Sequence, residues 1–203
     1  MILYGRDLSP FTRRVAIWLN LQGRSFDRRP LMGQGEDFAT LKQISPQGRV
    51  PILQLDDGTA LVESWAICDW LEDSAEAGAR LLPATGVARR DMMQMLALAS
   101  STAEKGVALV YDKNRRPEHL HWSDWQNRLE AQVLDGLRAM ETQCPEDGWL
   151  SGGDAPMAGD VGFVITHDFI AASNPYLLEI GLPKLSALAA RANAIPAFGD
   201  TKP

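Results

Sequence analysis

The fold of this chain is decided by the stretch Arg49-Val50-Pro51-Ile52-Leu53, which is followed by Glu63-Ser64 at the start of an apolar helical run. A proline directly before a strand can take a cis peptide bond, and the backbone of Val50 beside it can pair with an extended ligand. Because a helix N-terminus carries free N–H donors and positive dipole charge, Ser64 marks a place for a carboxylate. Glu63 adds a negative charge suited to an ammonium group. The two segments together predict a site for a small peptide that carries both charges.

Strand and helix patterns alternate over roughly the first 75 residues. The predicted elements are strand Ile2–Tyr4, helix Phe11–Gln22, strand Ser25–Arg29, helix Glu36–Ile44, strands Pro51–Leu55 and Ala60–Val62, and helix Ser64–Asp73. The last two strands are joined by Asp56-Asp57-Gly58-Thr59, and Asp-Gly between apolar runs is a strong hairpin signal. The order is therefore βαβ, then a helix, a hairpin and a helix.

Only helical patterns follow the proline-marked connector Leu81-Leu82-Pro83-Ala84. The predicted helices are Ala88–Asp112, with a soft break at Gly106, Ser123–Thr142, Ala158–Ala172 and Leu185–Ala194. This change of pattern predicts two domains, a mixed α/β domain over residues 1–78 and an all-helical domain over residues 86–203.

Charge and composition narrow the function classes. The net charge is −6 and the basic pairs are scattered, which argues against a nucleic-acid-binding protein. No segment approaches the roughly 18 to 20 apolar residues that span a bilayer, and the N-terminus lacks a signal-peptide pattern. Cys68 and Cys144 form no CxxC motif, so we expect free thiols in the cytoplasm. His119-x-His121 lacks neighbouring ligands, and no metal site is expected.

Five short motifs along the chain indicate a protein family by their order and spacing. They are Ser9-Pro10-Phe11-Thr12-Arg13-Arg14-Val15 after the first strand, Gly48–Leu53, Glu63-Ser64, Leu81-Leu82-Pro83 and Asp160. In this order and spacing the chain resembles a bacterial cytosolic glutathione S-transferase of the serine type. That resemblance implies a thioredoxin-like N-terminal domain, βαβ-α-ββ-α, followed by an all-helical C-terminal domain.

The resemblance also implies roles for particular residues. Pro51 matches the family's cis proline, Val50 the residue whose backbone pairs with the cysteinyl unit of glutathione, and Glu63 and Ser64 the pair that grips its γ-glutamyl end. Ser9 matches the catalytic position. The remaining implied binding positions are Phe11 and Thr12 around the thiol, Arg49 near the glycyl carboxylate, and Tyr111 in the acceptor pocket. The implied activity is a detoxifying transfer of glutathione, as co-substrate, to a small apolar electrophile by a homodimer.

Ser9 suits this chemistry as a hydrogen-bond donor. A thiol with a pKa near 8.5 is mostly protonated at neutral pH, and lowering that pKa by about two units requires roughly 2.7 kcal/mol. A hydroxyl that donates to the thiolate supplies part of this, and the helix dipole beyond Pro10 acts in the same direction. Ser9-Pro10 also fits a simple N-cap with proline in the first turn. Thr12 is the alternative donor.

Two further activities fit the same residues. A glutathione-dependent isomerase uses the same thiolate, which adds to a double bond and later leaves. A non-catalytic binding protein keeps the fold and the glutathione site without turnover. No cysteine stands at the catalytic position, which argues against relatives that form mixed disulfides.

Overall fold

The computed structural model describes residues 1–203, which divide into two compact units. The first comprises Met1–Leu82 and Ile195–Pro203, and the second comprises Pro83–Ala194. The strands are β1 (Ile2–Tyr4), β2 (Asp27–Arg29), β3 (Ile52–Gln54) and β4 (Ala60–Val62). The helices are α1 (Pro10–Leu21), α2 (Gly35–Ile44), α3 (Ser64–Asp73), α4 (Gly86–Arg115), α5 (Ser123–Gln143), α6 (Ala158–Ser173), α7 (Pro183–Asn193) and the short α8 (Pro196–Gly199). The predicted fold class, a thioredoxin-like sheet domain with a helical domain, is confirmed.

The first unit is built on a mixed four-stranded sheet in the order β2-β1-β3-β4. β1 and β2 are parallel, because α1 carries the chain across between them, and the other neighbours are antiparallel. Ile52 pairs with Tyr4 on one side and with Val62 on the other. The end of β1, the start of β3 and the end of β4 therefore lie at the same end of the sheet.

Helix α1 is the centre of the first unit. Its segment Val15–Leu19 is at most 1% exposed, so α1 is covered on all sides there. The Trp18 indole donates to Glu72 at the end of α3 over 2.7 Å. Glu72 also accepts hydrogen bonds from the Gln22 amide (3.2 Å) and from the backbone N–H groups of Leu81 and Leu82 (3.0 Å each). One buried carboxylate thus ties α1, α3 and the connector together.

The C-terminal segment Ile195–Pro203 belongs to the first unit, whereas we expected the helical domain to run over residues 86–203. Arg13 on α1 donates to the Thr201 hydroxyl (3.2 Å), and Asn20 donates to the Ala197 carbonyl (3.1 Å). Phe198 is fully buried. These contacts, and not a continuous helix, explain why the segment returns to α1.

The second unit packs its helices around α6, which is buried along most of its length. Asp160 in its first turn accepts the backbone N–H groups of Met157 and Leu150, each over 2.9 Å. Helix α4 runs past Gly106 without the predicted break. A Cβ at Gly106 would lie 2.7 Å from Ile170 Cδ1, so this glycine serves close helix packing. None of the helices combines the length and apolar character needed to cross a bilayer.

Candidate functional site

The candidate site forms at the shared end of the sheet. The Val50–Pro51 peptide bond is cis, as the sequence pattern predicted. Gly5, directly after β1, has a φ of +128°, and a Cβ there would lie 2.3 Å from Thr12 Oγ1 and 3.0 Å from Val50 Cβ. Only glycine fits this close approach. Thr12 in the first turn of α1 and Val50 in the loop before β3 therefore both lie close to Gly5.

Ser9 is the N-cap of α1. Its Oγ accepts the backbone N–H of Thr12 over 3.3 Å, Pro10 follows in the first turn, and the Ser9 side chain is partly exposed. Because that hydrogen bond uses an oxygen lone pair, the hydroxyl proton remains available for donation to a ligand. The cap role and a donor role are compatible at this position.

Thr12, the alternative donor, is fully buried. Its Oγ1 has no hydrogen-bond partner and lies in the contact with Gly5. Of the two candidate donors, only Ser9 has a partly exposed side chain.

Glu63 and Ser64 join β4 to α3. Glu63 is exposed and has a φ of +70°, and a non-glycine residue in the left-handed region costs about 1–3 kcal/mol. Such strain is concentrated at functional positions. Ser64 is fully buried, and its hydroxyl donates to Glu63 Oε1 over 3.4 Å.

Arg14 is a site residue that the sequence analysis missed. It is 1% exposed, and its Nη1 donates to Ser64 Oγ over 3.1 Å. Its guanidinium lies 5.0 Å from the Trp65 ring centre and 5.8 Å from that of Phe11. On sequence alone, the Arg13-Arg14 pair is scattered charge and part of the motif after the first strand, and Arg14 has no role of its own. Its spacing was a usable signal, since Arg14 lies three residues from Phe11 and four from Trp18, on one face of α1.

The other predicted positions are distributed as follows. Phe11 and Val50 are partly exposed, Pro51 is buried, and Arg49 is exposed on the loop before Pro51. Tyr111 lies in the second unit, on α4, where it is 48% exposed and the Arg115 guanidinium lies 3.8 Å above its ring. The structure thus places at one end of the sheet all the predicted residues of the first unit: Ser9, Phe11, Thr12, Arg49, Val50, Pro51, Glu63 and Ser64.

Neither cysteine is an activated thiol. Burial raises the pKa of Cys68 to about 12, against the smaller opposing effect of the Arg14 charge. Burial also raises the pKa of Cys144 to about 12. Both side chains are free and buried, so they are neutral at physiological pH.

The sequence is similar to a protein-family model and to known proteins. Residues 3–79 match the family model of the glutathione S-transferase N-terminal domain. The maleylacetoacetate isomerase of Pseudomonas aeruginosa is 28% identical over 220 residues, covering 100% of this chain and 96% of that protein.

Solved structures share the whole fold. A glutathione S-transferase of Methylobacterium radiotolerans, in complex with glutathione sulfonate, has a TM-score of 0.90 at 23% identity and covers 100% of this chain and 94% of that one. A glutathione S-transferase of Methylobacillus flagellatus with glutathione bound also has a TM-score of 0.90 at 23% identity, covering 100% and 98%. Residues 3–79 are therefore similar to the glutathione S-transferase N-terminal domain, and the whole chain has the glutathione S-transferase fold.

Proposed function

We propose that this protein is a glutathione transferase in which the Ser9 hydroxyl donates a hydrogen bond to the glutathione thiolate. The observation that carries the proposal is the position of Ser9, which presents a partly exposed hydroxyl at the N-terminus of α1. The thiolate then attacks a small apolar electrophile, the S–C bond forms, and the leaving group departs with its electron pair.

The energetics of thiol activation fit the groups at the start of α1. A hydrogen bond to a charged partner contributes about 1.5–3 kcal/mol, and the dipole of a helix N-terminus contributes about 0.3–1 kcal/mol. Together they reach the roughly 2.7 kcal/mol that lowers a thiol pKa by about two units. Ser9 acts as a donor and needs no general base.

The rest of the tripeptide is assigned along the same end of the sheet. The backbone of Val50, beside Pro51, pairs with the cysteinyl unit, and Arg49 faces the glycyl carboxylate. Glu63 receives the γ-glutamyl ammonium, and Ser64 at the start of α3 receives its carboxylate. In this proposal the glutathione-binding domain is residues 1–78. Phe11 and Thr12 shape the surroundings of the thiol, and Tyr111 contributes to the acceptor pocket.

Isomerisation is the second candidate function. The relative matched over 100% of this chain is a maleylacetoacetate isomerase, and its reaction class fits the same residues. The thiolate adds to one carbon of a double bond and the adjacent carbon takes the electron pair. Rotation follows, the double bond re-forms, and the S–C bond breaks to return the thiolate.

Comparison of the wild type with Ser9→Ala tests the proposal, using glutathione with an aromatic chloride and, separately, with maleylacetoacetate. We expect kcat to fall about 10-fold to 150-fold in the reaction that the protein catalyses, because one charge-assisted hydrogen bond is lost. Ser151→Ala is the matched control, since Ser151 Oγ also accepts a backbone N–H, that of Gly153 at 3.2 Å, on an exposed loop. Unchanged turnover in Ser9→Ala would refute the donor role. Glutathione binding without turnover in the wild type would favour the binding-protein alternative.

We also propose that the protein acts as a cytoplasmic homodimer. Two free, buried cysteines are typical of a reducing compartment, and the dimer is what the resemblance to glutathione S-transferases implies. Light scattering at catalytic concentration measures the mass, and a value corresponding to 22.3 kDa would show a monomer instead.

A further inference from the structure

A buried cation lies directly beneath the proposed binding groups. Arg14 is 1% exposed, which is rare for an arginine, and it belongs to the interior helix α1. Its Nη1 donates to the hydroxyl oxygen of Ser64, the first residue of α3. An arginine stays charged under these conditions. Its position therefore puts a permanent positive charge behind the N-terminus of α3.

The contact with Arg14 fixes what Ser64 can do. Because the guanidinium occupies a lone pair of Ser64 Oγ, the hydroxyl proton must point to another acceptor. In the structure that acceptor is Glu63 Oε1 at 3.4 Å, at the long limit of a hydrogen bond. Glu63 is exposed, so its carboxylate can turn away and leave the Ser64 proton to another anion.

Two aromatic rings restrict the guanidinium. Arg14 lies 5.0 Å from the Trp65 ring centre and 5.8 Å from that of Phe11, both within the range of a cation–π contact. These contacts hold the Arg14 guanidinium in place, with its Nη1 directed at Ser64. A donor chain from a cation through a hydroxyl is also more polarised than an isolated hydroxyl.

We propose that Arg14 is a positioning residue that aims the Ser64 proton at the ligand's α-carboxylate, which displaces Glu63 from that proton. The proposal rests on glutathione being the ligand, as in the function proposed above. Glu63 is then released to pair with the ligand's ammonium. The site accordingly selects ligands that carry a carboxylate and an ammonium on the same carbon.

The experiment compares glutathione with its analogue 4-aminobutyryl-cysteinyl-glycine, which lacks only that α-carboxylate. Calorimetry gives Kd for both ligands with the wild type, Arg14→Met and Arg14→Lys. We expect Arg14→Met to weaken glutathione binding about tenfold or more while the analogue's Kd changes less than about threefold. Arg14→Lys restores part of the difference because it keeps the charge. With glutathione as substrate, KM rises with Kd and kcat changes little.

A second variant covers the case in which Arg14→Met does not fold. Ser64→Ala removes the hydroxyl and leaves the cation in place, and we expect the same loss of preference for glutathione over the analogue. Equal weakening of both ligands in these variants would mean a structural role only and would overturn the proposal, as would an unchanged preference. If the wild type binds neither ligand, the proposed function fails and this inference falls with it.

Discussion

Replacement of Glu72 by alanine should destabilise the first unit strongly. The carboxylate is 5% exposed and accepts hydrogen bonds from the Trp18 indole (2.7 Å) and from the backbone N–H groups of Leu81 and Leu82 (3.0 Å each). A buried donor left without an acceptor costs about 1–3 kcal/mol. Three such donors give about 3 kcal/mol as the lower bound for the loss in unfolding free energy, and a void adds to it.

The assay is urea denaturation, monitored by tryptophan fluorescence and by circular dichroism. Linear extrapolation gives the free energy of unfolding in water. Asp73→Ala is the matched control, because Asp73 is the next residue on α3 and is exposed. We expect it to change stability by less than about 0.5 kcal/mol. Glu72→Gln should lie between the two, since its amide keeps one acceptor oxygen and turns an N–H₂ group toward donors.

A Glu72→Ala variant as stable as the wild type would contradict this role of the carboxylate. Suppose that the free energy of unfolding of Glu72→Ala lies within about 1 kcal/mol of the wild-type value and that the denaturant slope is unchanged. The carboxylate then does not hold these segments together, and the N–H groups of Leu81 and Leu82 find other acceptors.

Three further predictions follow from the same structure. Ser9→Ala should raise the pKa of the bound glutathione thiol by about 1–2 units, because the thiolate loses a hydrogen-bond donor. The midpoint of the pH profile of kcat/KM would then move to higher pH. An unmoved midpoint would contradict the donor role. Gly5→Ala should lower Tm markedly and cost about 2 kcal/mol or more, because the new Cβ would lie 2.3 Å from Thr12 Oγ1 at a φ of +128°; Gly23→Ala, where nothing lies within 4 Å, isolates the backbone effect. In Glu130 burial tends to raise the carboxyl pKa, but hydrogen bonds from Lys113 and Tyr176 outweigh it and lower the pKa below 4.5. Its stabilisation is therefore present above that value and lost as pH falls through the folded-state pKa. Glu130→Gln should be less stable than the wild type at neutral pH, and urea titrations over a series of pH values should show this difference shrinking as the pH falls below 4.5.

Local patterns predicted most of the secondary structure. Strand Ile2–Tyr4 and helix Ser64–Asp73 were located to the residue, because turn residues and apolar periodicity mark both ends. Strand β2 is shorter than predicted, beginning at Asp27 instead of Ser25, because its pairing with β1 begins only there. The absence of a break at Gly106 reflects tertiary packing against Ile170, which a local propensity cannot reveal.

Long-range contacts explain what the sequence analysis missed. The role of Arg14 was missed because its partner Ser64 is fifty positions away in the sequence. The return of Ile195–Pro203 to the first unit depends on Arg13 and Asn20, whose partners lie almost a full chain length away. Burial of the Thr12 hydroxyl likewise depends on Gly5 and could be seen only in three dimensions.

The return of the C-terminal segment has a consequence for biosynthesis. Arg13 of α1 donates to Thr201 and to the Phe198 carbonyl, so this part of α1 gains its partners only after the C-terminal segment has left the ribosome. The whole of Pro83–Ala194 is translated before that segment, although the four strands of the sheet all precede it. A fragment cut at the connector would consequently expose apolar surface on α1 that the intact polypeptide covers.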